Sequence, residues 1–249
     1  MTIPVCNPAA LAPLLDGWEE GMLYAFLSGR MGDAVADAGY RSAQVRVGDF
    51  CFFAGAPDAA VAAWQPEKPR PYTILIPRTR DWDSLIERAY PQARRSVRYA
   101  FRKQDSFDRV RLRDFAAALS GGYALRRMDE SLYHLAAQEE WSRDLVSQYP
   151  VWENYAAHGM GYAVLQDGAL VCGASSYADW PDGIEIEIDT HPAHRRRGLA
   201  RACAAALMLD CLSRGLHPSW DAANGVSAHL AQTLGYVPAG AYSVYEWML

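Results

Sequence analysis

Between residues 184 and 200 the chain changes its hydrophobic period abruptly, and that change limits the folds it can adopt. Ile184, Ile186 and Ile188 alternate with Glu185, Glu187 and Asp189 up to Thr190, the period of a strand with two unlike faces. After His191-Pro192 the apolar positions Leu199, Cys203, Ala206, Leu207 and Cys211 recur at helical spacing, and Gly215 stops the helix. Strand and helix are joined by Arg195-Arg196-Arg197-Gly198-Leu199-Ala200. Successive backbone N–H groups at such a turn point into one concavity. The helix start adds partial positive charge and the arginines add full charge. Gly198 has no Cβ to keep an oxygen away from the backbone, and Ala200 is small enough to crowd the same corner. The chemistry implied is a phosphate site in an α/β fold.

The rest of the chain supplies the elements around that unit. Ala169 to Tyr177 and Tyr162 to Gln166 flank Asp167-Gly168, a two-residue hairpin signal, and Pro181-Asp182-Gly183 makes the next turn. Asp129 to Gln148 reads as one helix and Pro150 to His158 as a second, ended at Gly159. Leu216 to Asp221 is a short strand, Asn224 caps a helix that ends at Gly235, and Tyr236 to Trp247 supplies one or two aromatic-rich strands. Upstream, Ala43 to Val47 and Phe50 to Ala54 flank Gly48-Asp49. Tyr72 to Ile76 is a strand, and Asp81 is placed to cap a helix bearing Leu85, Ile86 and Ala89. Arg94, Arg98 and Arg102 fall four apart, which reads as a basic stripe on a helix, either an anion site or, by preference, a solvated face. Gly121-Gly122 follows the apolar helical run Leu112 to Leu119. It marks the expected boundary between domains 1–120, an α/β unit of unassigned role, and 121–249.

Composition excludes several classes. With 51% hydrophobic and 21% charged residues the chain is a folded globular protein. No apolar run reaches the length of a membrane span, and residues 1–15 lack a secretory pattern. A net charge of −5 argues against nucleic acid as a partner. Cys6, Cys51, Cys172, Cys203 and Cys211 are odd in number and scattered, which points to buried thiols in a reducing cytoplasm and to no disulfide framework or zinc site. His191 and His194 have a ligand-like spacing, but the arginines beside His194 repel a cation, so no metal is expected.

From about Tyr123 onward the chain resembles the GNAT superfamily of acyl-CoA N-acyltransferases. Arg195 to Ala200 is similar to its Arg/Gln-x-x-Gly-x-Gly/Ala signature. Ile186 to Pro192, Ser219 to Asn224, Leu234 to Tyr236 and Tyr242 to Glu246 resemble the zwittermicin A resistance-like branch more closely, as does the region around Arg98-Tyr99. The resemblance implies a GNAT fold with an N-terminal α/β extension, which either completes a pocket, forms a dimer interface or is a degenerate second copy. It implies acetyl-CoA as co-substrate, its pantetheine arm along Ile188, Asp189 and Thr190 and its pyrophosphate on Arg195, Arg196, Arg197, Gly198, Leu199 and Ala200. Asn224 matches a position that contacts the pantetheine or assists chemistry.

An amine must lose a proton to attack a thioester, and Glu187, then Glu185, are the candidate bases on the strand that would hold it. Both are also compatible with solvated carboxylates. A backbone N–H of the same strand would polarise the carbonyl. Glu139, Glu140 and Trp141 are read as an anionic-aromatic wall for a cationic amine, with Trp220 and Asp221 as further candidates at a strand's end. The tyrosine that many superfamily members use to protonate the leaving thiolate is matched by Ala231. That leaves Ser227, Tyr236, Tyr242 and Tyr245 as donors. The expected activity is acetylation of a primary amine on a small molecule such as an aminopolyol or amino sugar, by a monomer or homodimer. Its rivals are a non-catalytic acyl-CoA-binding module and a protein or peptide N-acetyltransferase.

Overall fold

The computed structural model describes Thr2–Leu249 and divides into two units, Met1–Ala100 with Gly240–Leu249, and Phe101–Ala239. The first runs β1 (Thr2–Pro4), α1 (Ala12–Leu15), α2 (Gly21–Leu27), β2 (Asp33–Asp37), β3 (Ser42–Val47), β4 (Phe50–Gly55), α3 (Ala59–Ala63), β5 (Tyr72–Pro77), α4 (Asp83–Ala89) and β6 (Arg94–Phe101). Neighbours β1 to β4 pair antiparallel, and β5 joins β4 in parallel after the α3 crossover. The second continues with α5 (Arg109–Ala117), β7 (Tyr123–Arg127), α6 (Glu130–Gln138), α7 (Trp152–His158), β8 (Gly161–Gln166), β9 (Ala169–Trp180), β10 (Gly183–Thr190), α8 (Leu199–Ser213), β11 (His217–Ser219), β12 (Asp221–Ala222) and α9 (Gly225–Leu234). Here β7 to β10 pair antiparallel and β11 joins β10 in parallel. The two units therefore repeat one plan: strand, helices, three antiparallel strands, crossover helix, parallel strand, helix.

The final strand, β13 (Pro238–Met248), completes the first unit's sheet. Tyr245 to Met248 pair antiparallel with Leu75 to Tyr72, and β13 lies between β5 and β6 in the sheet order. Tyr245 joins a core that includes Phe53, Leu75, Trp82 and Ile86. Its hydroxyl accepts from Arg95 at 2.6 Å and donates to Glu87 at 2.9 Å.

Three expectations meet a different local structure. Arg94 and Arg98 lie on strand β6, not on a helix. A spacing of four is a multiple of the strand period as well as about one helical turn, so it does not discriminate between them. Arg98 is 9% exposed, with its guanidinium 4.9 Å from the Phe50 ring centre, so it is no solvated face. Asp81 sits within a 3-10 turn, Arg80–Trp82, that leads into α4 and is not its cap. The helix from Asp129 ends at Gln138, because Ser142 Oγ donates to the Ala136 carbonyl at 2.9 Å and takes up an orphan acceptor of the last turn. Where the sequence placed a division at Gly121-Gly122, α5 packs with the second unit: Leu112 is buried and Arg109 donates to the Leu212 carbonyl at 3.0 Å.

Candidate active site

Strand β10 has a paired stretch and an open one. Only Gly183, Ile184 and Glu185 pair with β11, whereas the whole of β10 pairs with β9. From Ile186 onward its far edge is open. The His191 N–H bonds the Val171 carbonyl on β9. Since antiparallel residues turn their backbone groups alternately to one neighbour and the other, Ile188 and Thr190 face the open edge and Asp189 does not. The Ile188 N–H on that edge donates to Glu187 Oε1 at 3.1 Å, and the Thr190 carbonyl accepts from Arg195 Nε at 3.2 Å. Of the three residues read as a pantetheine rail, two present their backbone to the gap.

The side chains of β10 divide the same way. Thr190 Oγ1 lies 3.2 Å from Cys172 Sγ, and Cys172 in turn interacts with Cys203 on α8. Asp189 is directly opposite Gly173, whose missing Cβ would stand 2.5 Å from Leu145 of the 3-10 turn Arg143–Leu145. Glu187 and Asp189 thus face the layer of α6, this turn and α7. Burial, then repulsion from Asp144 on the turn, raises the Asp189 carboxyl to about 6, with Arg195 opposing the rise. Glu187 lies half-buried on the open stretch. Glu185 is 4% exposed within the paired stretch, which leaves Glu187 as the carboxylate a ligand can reach.

The turn into α8 is shaped by two left-handed residues, Arg196 at φ 61° and Gly198 at φ 79°. Gly198 is the cap residue, and no described side chain caps this helix. The first intrahelical bond runs from Ala202 N–H to the Gly198 carbonyl. The N–H groups of Leu199, Ala200 and Arg201 therefore precede it and have no helical partner. A Cβ at Gly198 would meet only Arg201 Nη2, at 3.7 Å, so the space above the turn is open. Arg197 is fixed by bonds to the Tyr123 hydroxyl at 2.8 Å and the Ala193 carbonyl at 3.3 Å, and Tyr123 also contacts His194 Nδ1 at 3.1 Å. This geometry fits a pyrophosphate: unsatisfied donors, an open approach and fixed positive charge.

The first unit offers an instructive contrast. Its crossover helix α3 starts at Asp58, whose carboxylate accepts from Ala60 and Val61 N–H at 2.8 and 2.9 Å. The same topological position there carries its own anion.

The remaining candidates are placed as follows. Asn224 Oδ1 caps α9, accepting from Val226 and Ser227 N–H, both at 3.0 Å, so only its amide nitrogen is available for a ligand. Trp141 lies in the turn after α6 and not on the helix. Its ring stands 5.5 Å from His191, at the end of β10. Glu139 and Glu140 are exposed beside it. Trp220 is 2% exposed and donates to Ser227 Oγ at 3.1 Å, as a core tryptophan does, while Asp221 is half-buried on β12. Among the proton donors considered, Tyr236 gives its hydroxyl proton to the Pro218 carbonyl at 2.7 Å. Burial raises its pKa well above the usual tyrosine range. Tyr245 belongs to the first unit. Sequence reasoning missed Tyr123 and Asp144, which carry no local signal because both meet the site only through the fold.

A sheet that opens beside a crossover helix with an uncapped, arginine-flanked start defines an acyl-coenzyme A N-acyltransferase architecture. The profile described as GNAT acetyltransferase matches residues 12–245, and the chain belongs to that family, whose co-substrate is acetyl-CoA. A GCN5-related N-acetyltransferase-like protein from Streptococcus suis is 40% identical, with a TM-score of 0.90 over 97% of this chain and 98% of that one. The N-acetyltransferase YdfB of Bacillus subtilis, described as uncharacterized, is 31% identical over 135 residues, covering 51% of this chain and 49% of its own. The chain thus spans about half the length of that relative. The L-amino acid N-acyltransferase MnaT of Escherichia coli is 28% identical over 115 residues, 43% of this chain and 67% of MnaT.

Proposed function

We propose that the protein transfers an acetyl group from acetyl-CoA to a primary amine of a small molecule, using the second unit. The observation that carries this reading is the open start of α8 beside the open edge of β10. Backbone N–H groups of Leu199, Ala200 and Arg201, with Arg195, Arg196 and Arg197 around them, would hold the pyrophosphate, and Ile188 and Thr190 would hold the pantetheine arm. When bound there, the co-substrate supplies an activated acyl carbon.

The chain's own residues do the rest. Glu187 would accept a proton from the amine as its nitrogen bonds to the acyl carbon, with coenzyme A leaving as the thiolate. The Ile188 N–H, which donates to Glu187 Oε1 here, is the backbone group on the open edge that would polarise the acyl carbonyl. Glu187, Asp189 and Asp144 gather carboxylates on one face, where burial and then the Asp144 charge hold the Asp189 pKa up. Support for a small cationic acceptor comes from this charge, from MnaT, named for L-amino acids, and from the resemblance to the zwittermicin A resistance-like branch, which points to an aminopolyol or amino sugar. The first unit is read as a degenerate copy of the same fold, on the shared strand pairing and the self-capped α3.

Measuring amine-dependent release of free thiol from acetyl-CoA tests the reading. Turnover with a panel of small amines, abolished by Gly198→Glu, is expected. No thiol release with any amine would refute it. One observation favours a second reading, acyl-CoA binding without turnover: Ala231 is buried in α9 where a proton-donating tyrosine is matched. Tight binding of acetyl-CoA with no thiol release would select it.

A further inference from the structure

Beside the open start of α8 lies a side-chain rack that neither the phosphate turn nor the acceptor face explains. Arg201, in the first turn of α8, has a buried Nε with no hydrogen-bond partner. Its guanidinium stands 4.6 Å over the ring of Phe115 on α5, and its Nη2 is the atom nearest the open space above Gly198. The same Phe115 ring carries a second guanidinium, that of Arg111, at 5.3 Å. One helix turn separates Arg111 from Phe115, so their side chains share a face of α5.

The two helices run antiparallel, since Arg109 reaches the Leu212 carbonyl near the end of α8 while Phe115 reaches Arg201 at its start. The rack is thus tied down at both ends. Stacking two cations on one aromatic ring fixes them without consuming their N–H donors. Arg111 is exposed, and among the described residues no acceptor bonds the terminal nitrogens of either guanidinium. The acidic residues of α5 are Asp108, engaged as the helix cap with Val110 and Arg111 N–H at 3.0 Å each, and the exposed Asp114. Two guanidinium groups with donors to spare, next to a pyrophosphate cradle, match a dianionic phosphomonoester better than a second diester, because each terminal oxygen can take a donor.

We infer that Arg111, Phe115 and Arg201 form a binding site for the 3′-phosphate of coenzyme A, with Arg201 bridging it to the pyrophosphate. The inference rests on the proposed use of acetyl-CoA. It makes α5, which precedes the repeated plan of the second unit, a determinant of cofactor specificity. The phosphomonoester distinguishes coenzyme A from its 3′-dephospho form, so this site reads the one group by which the two differ.

Calorimetric titration of the full chain with coenzyme A and with 3′-dephospho-coenzyme A tests it, on the wild type and on Arg111→Gln. The wild type should prefer coenzyme A by about tenfold or more, about 1.4 kcal/mol. Arg111→Gln should lose most of that preference by weakening coenzyme A binding alone. Phe115→Leu, which removes the shared platform and keeps both charges, should reduce the preference in the same direction, with thermal unfolding confirming that each variant is folded. Equal wild-type affinity for both ligands, or equal weakening of both by Arg111→Gln, overturns the site while leaving acetyl-CoA as co-substrate. Failure of the folded wild type to bind either ligand overturns the co-substrate reading, and this inference with it.

Discussion

Replacing Gly198 with alanine separates the two reasons a glycine stands there. At φ 79° the residue is left-handed, a conformation that costs an ordinary residue about 1–2 kcal/mol. The added Cβ meets nothing closer than Arg201 Nη2 at 3.7 Å, an ordinary contact, so no steric clash adds to that figure. Urea denaturation of the apo protein should show a loss of about 1–2 kcal/mol, and thermal melting a fall of about 2–8 °C for a chain of this size. Binding should suffer separately, because the methyl projects into the space an oxygen must enter: acetyl-CoA affinity should drop by about tenfold or more by calorimetry, about 1.4 kcal/mol. Gly235→Ala is the control. It has φ 104°, and its Cβ would find only Phe107, at 3.9 Å. It should cost comparable stability yet leave acetyl-CoA affinity intact. If Gly198→Ala binds acetyl-CoA as the wild type does, or if both variants lose affinity equally, the turn is no pyrophosphate cradle.

Other expectations follow from the same geometry. Asn224→Ala removes the Oδ1 cap of α9 and should cost about 1 kcal/mol in urea denaturation, whereas Asn224→Asp keeps an acceptor and should cost little; equal losses would mean the cap is not what Asn224 contributes. Asp189 has a folded-state pKa of about 6 against a model-compound value of 3.8, so between these values the folded state holds more protons than the unfolded one. Its ionisation therefore lowers stability as pH rises through that window. Asp189→Asn should accordingly be more stable than the wild type at pH 8 but not at pH 3.5, and a gain of the same size at both would disprove the assignment. Glu187→Gln should abolish acetyl transfer near neutral pH while acetyl-CoA still binds, and unchanged turnover would remove Glu187 as the base.

What could be read from the sequence was local. The Asp167-Gly168 hairpin, the alternation of β10, the Gly198 turn and the Asn224 and Gly235 ends of α9 depend on near neighbours, and each stands in the structure at its expected place. Errors arose where the deciding contact was distant or where two periods coincide. The arginine spacing in β6 is compatible with helix and strand alike. The chain from Gln138 to Ser142 contains no glycine or proline to announce that a serine hydroxyl ends the helix. The partners of Arg197 and Arg201, Tyr123 and Phe115, come from elements that no pattern near residue 198 could name. The repeated plan of the two units stood in the sequence only as one of three alternatives for the first half, because the first unit's crossover starts at Asp58 and lacks the signature that marks the second.

The place of β13 bears on how the molecule is made. The first unit is synthesised first, but Tyr245 to Met248, the residues that close its sheet beside β5, leave the ribosome only after the whole second unit has been translated. Until then the edge of β5 and the apolar slot for Tyr245 have no occupant from their own unit. Domains that fold as they emerge do so in chain order, and this one cannot finish in that order. A nascent chain shortened before residue 245 should therefore contain a finished second unit and an unfinished first, with an exposed strand edge of the kind that recruits chaperones or other chains. Emergence of residues 245–248, more than collapse of the first hundred residues, then becomes the event that commits the amino-terminal unit to its native state.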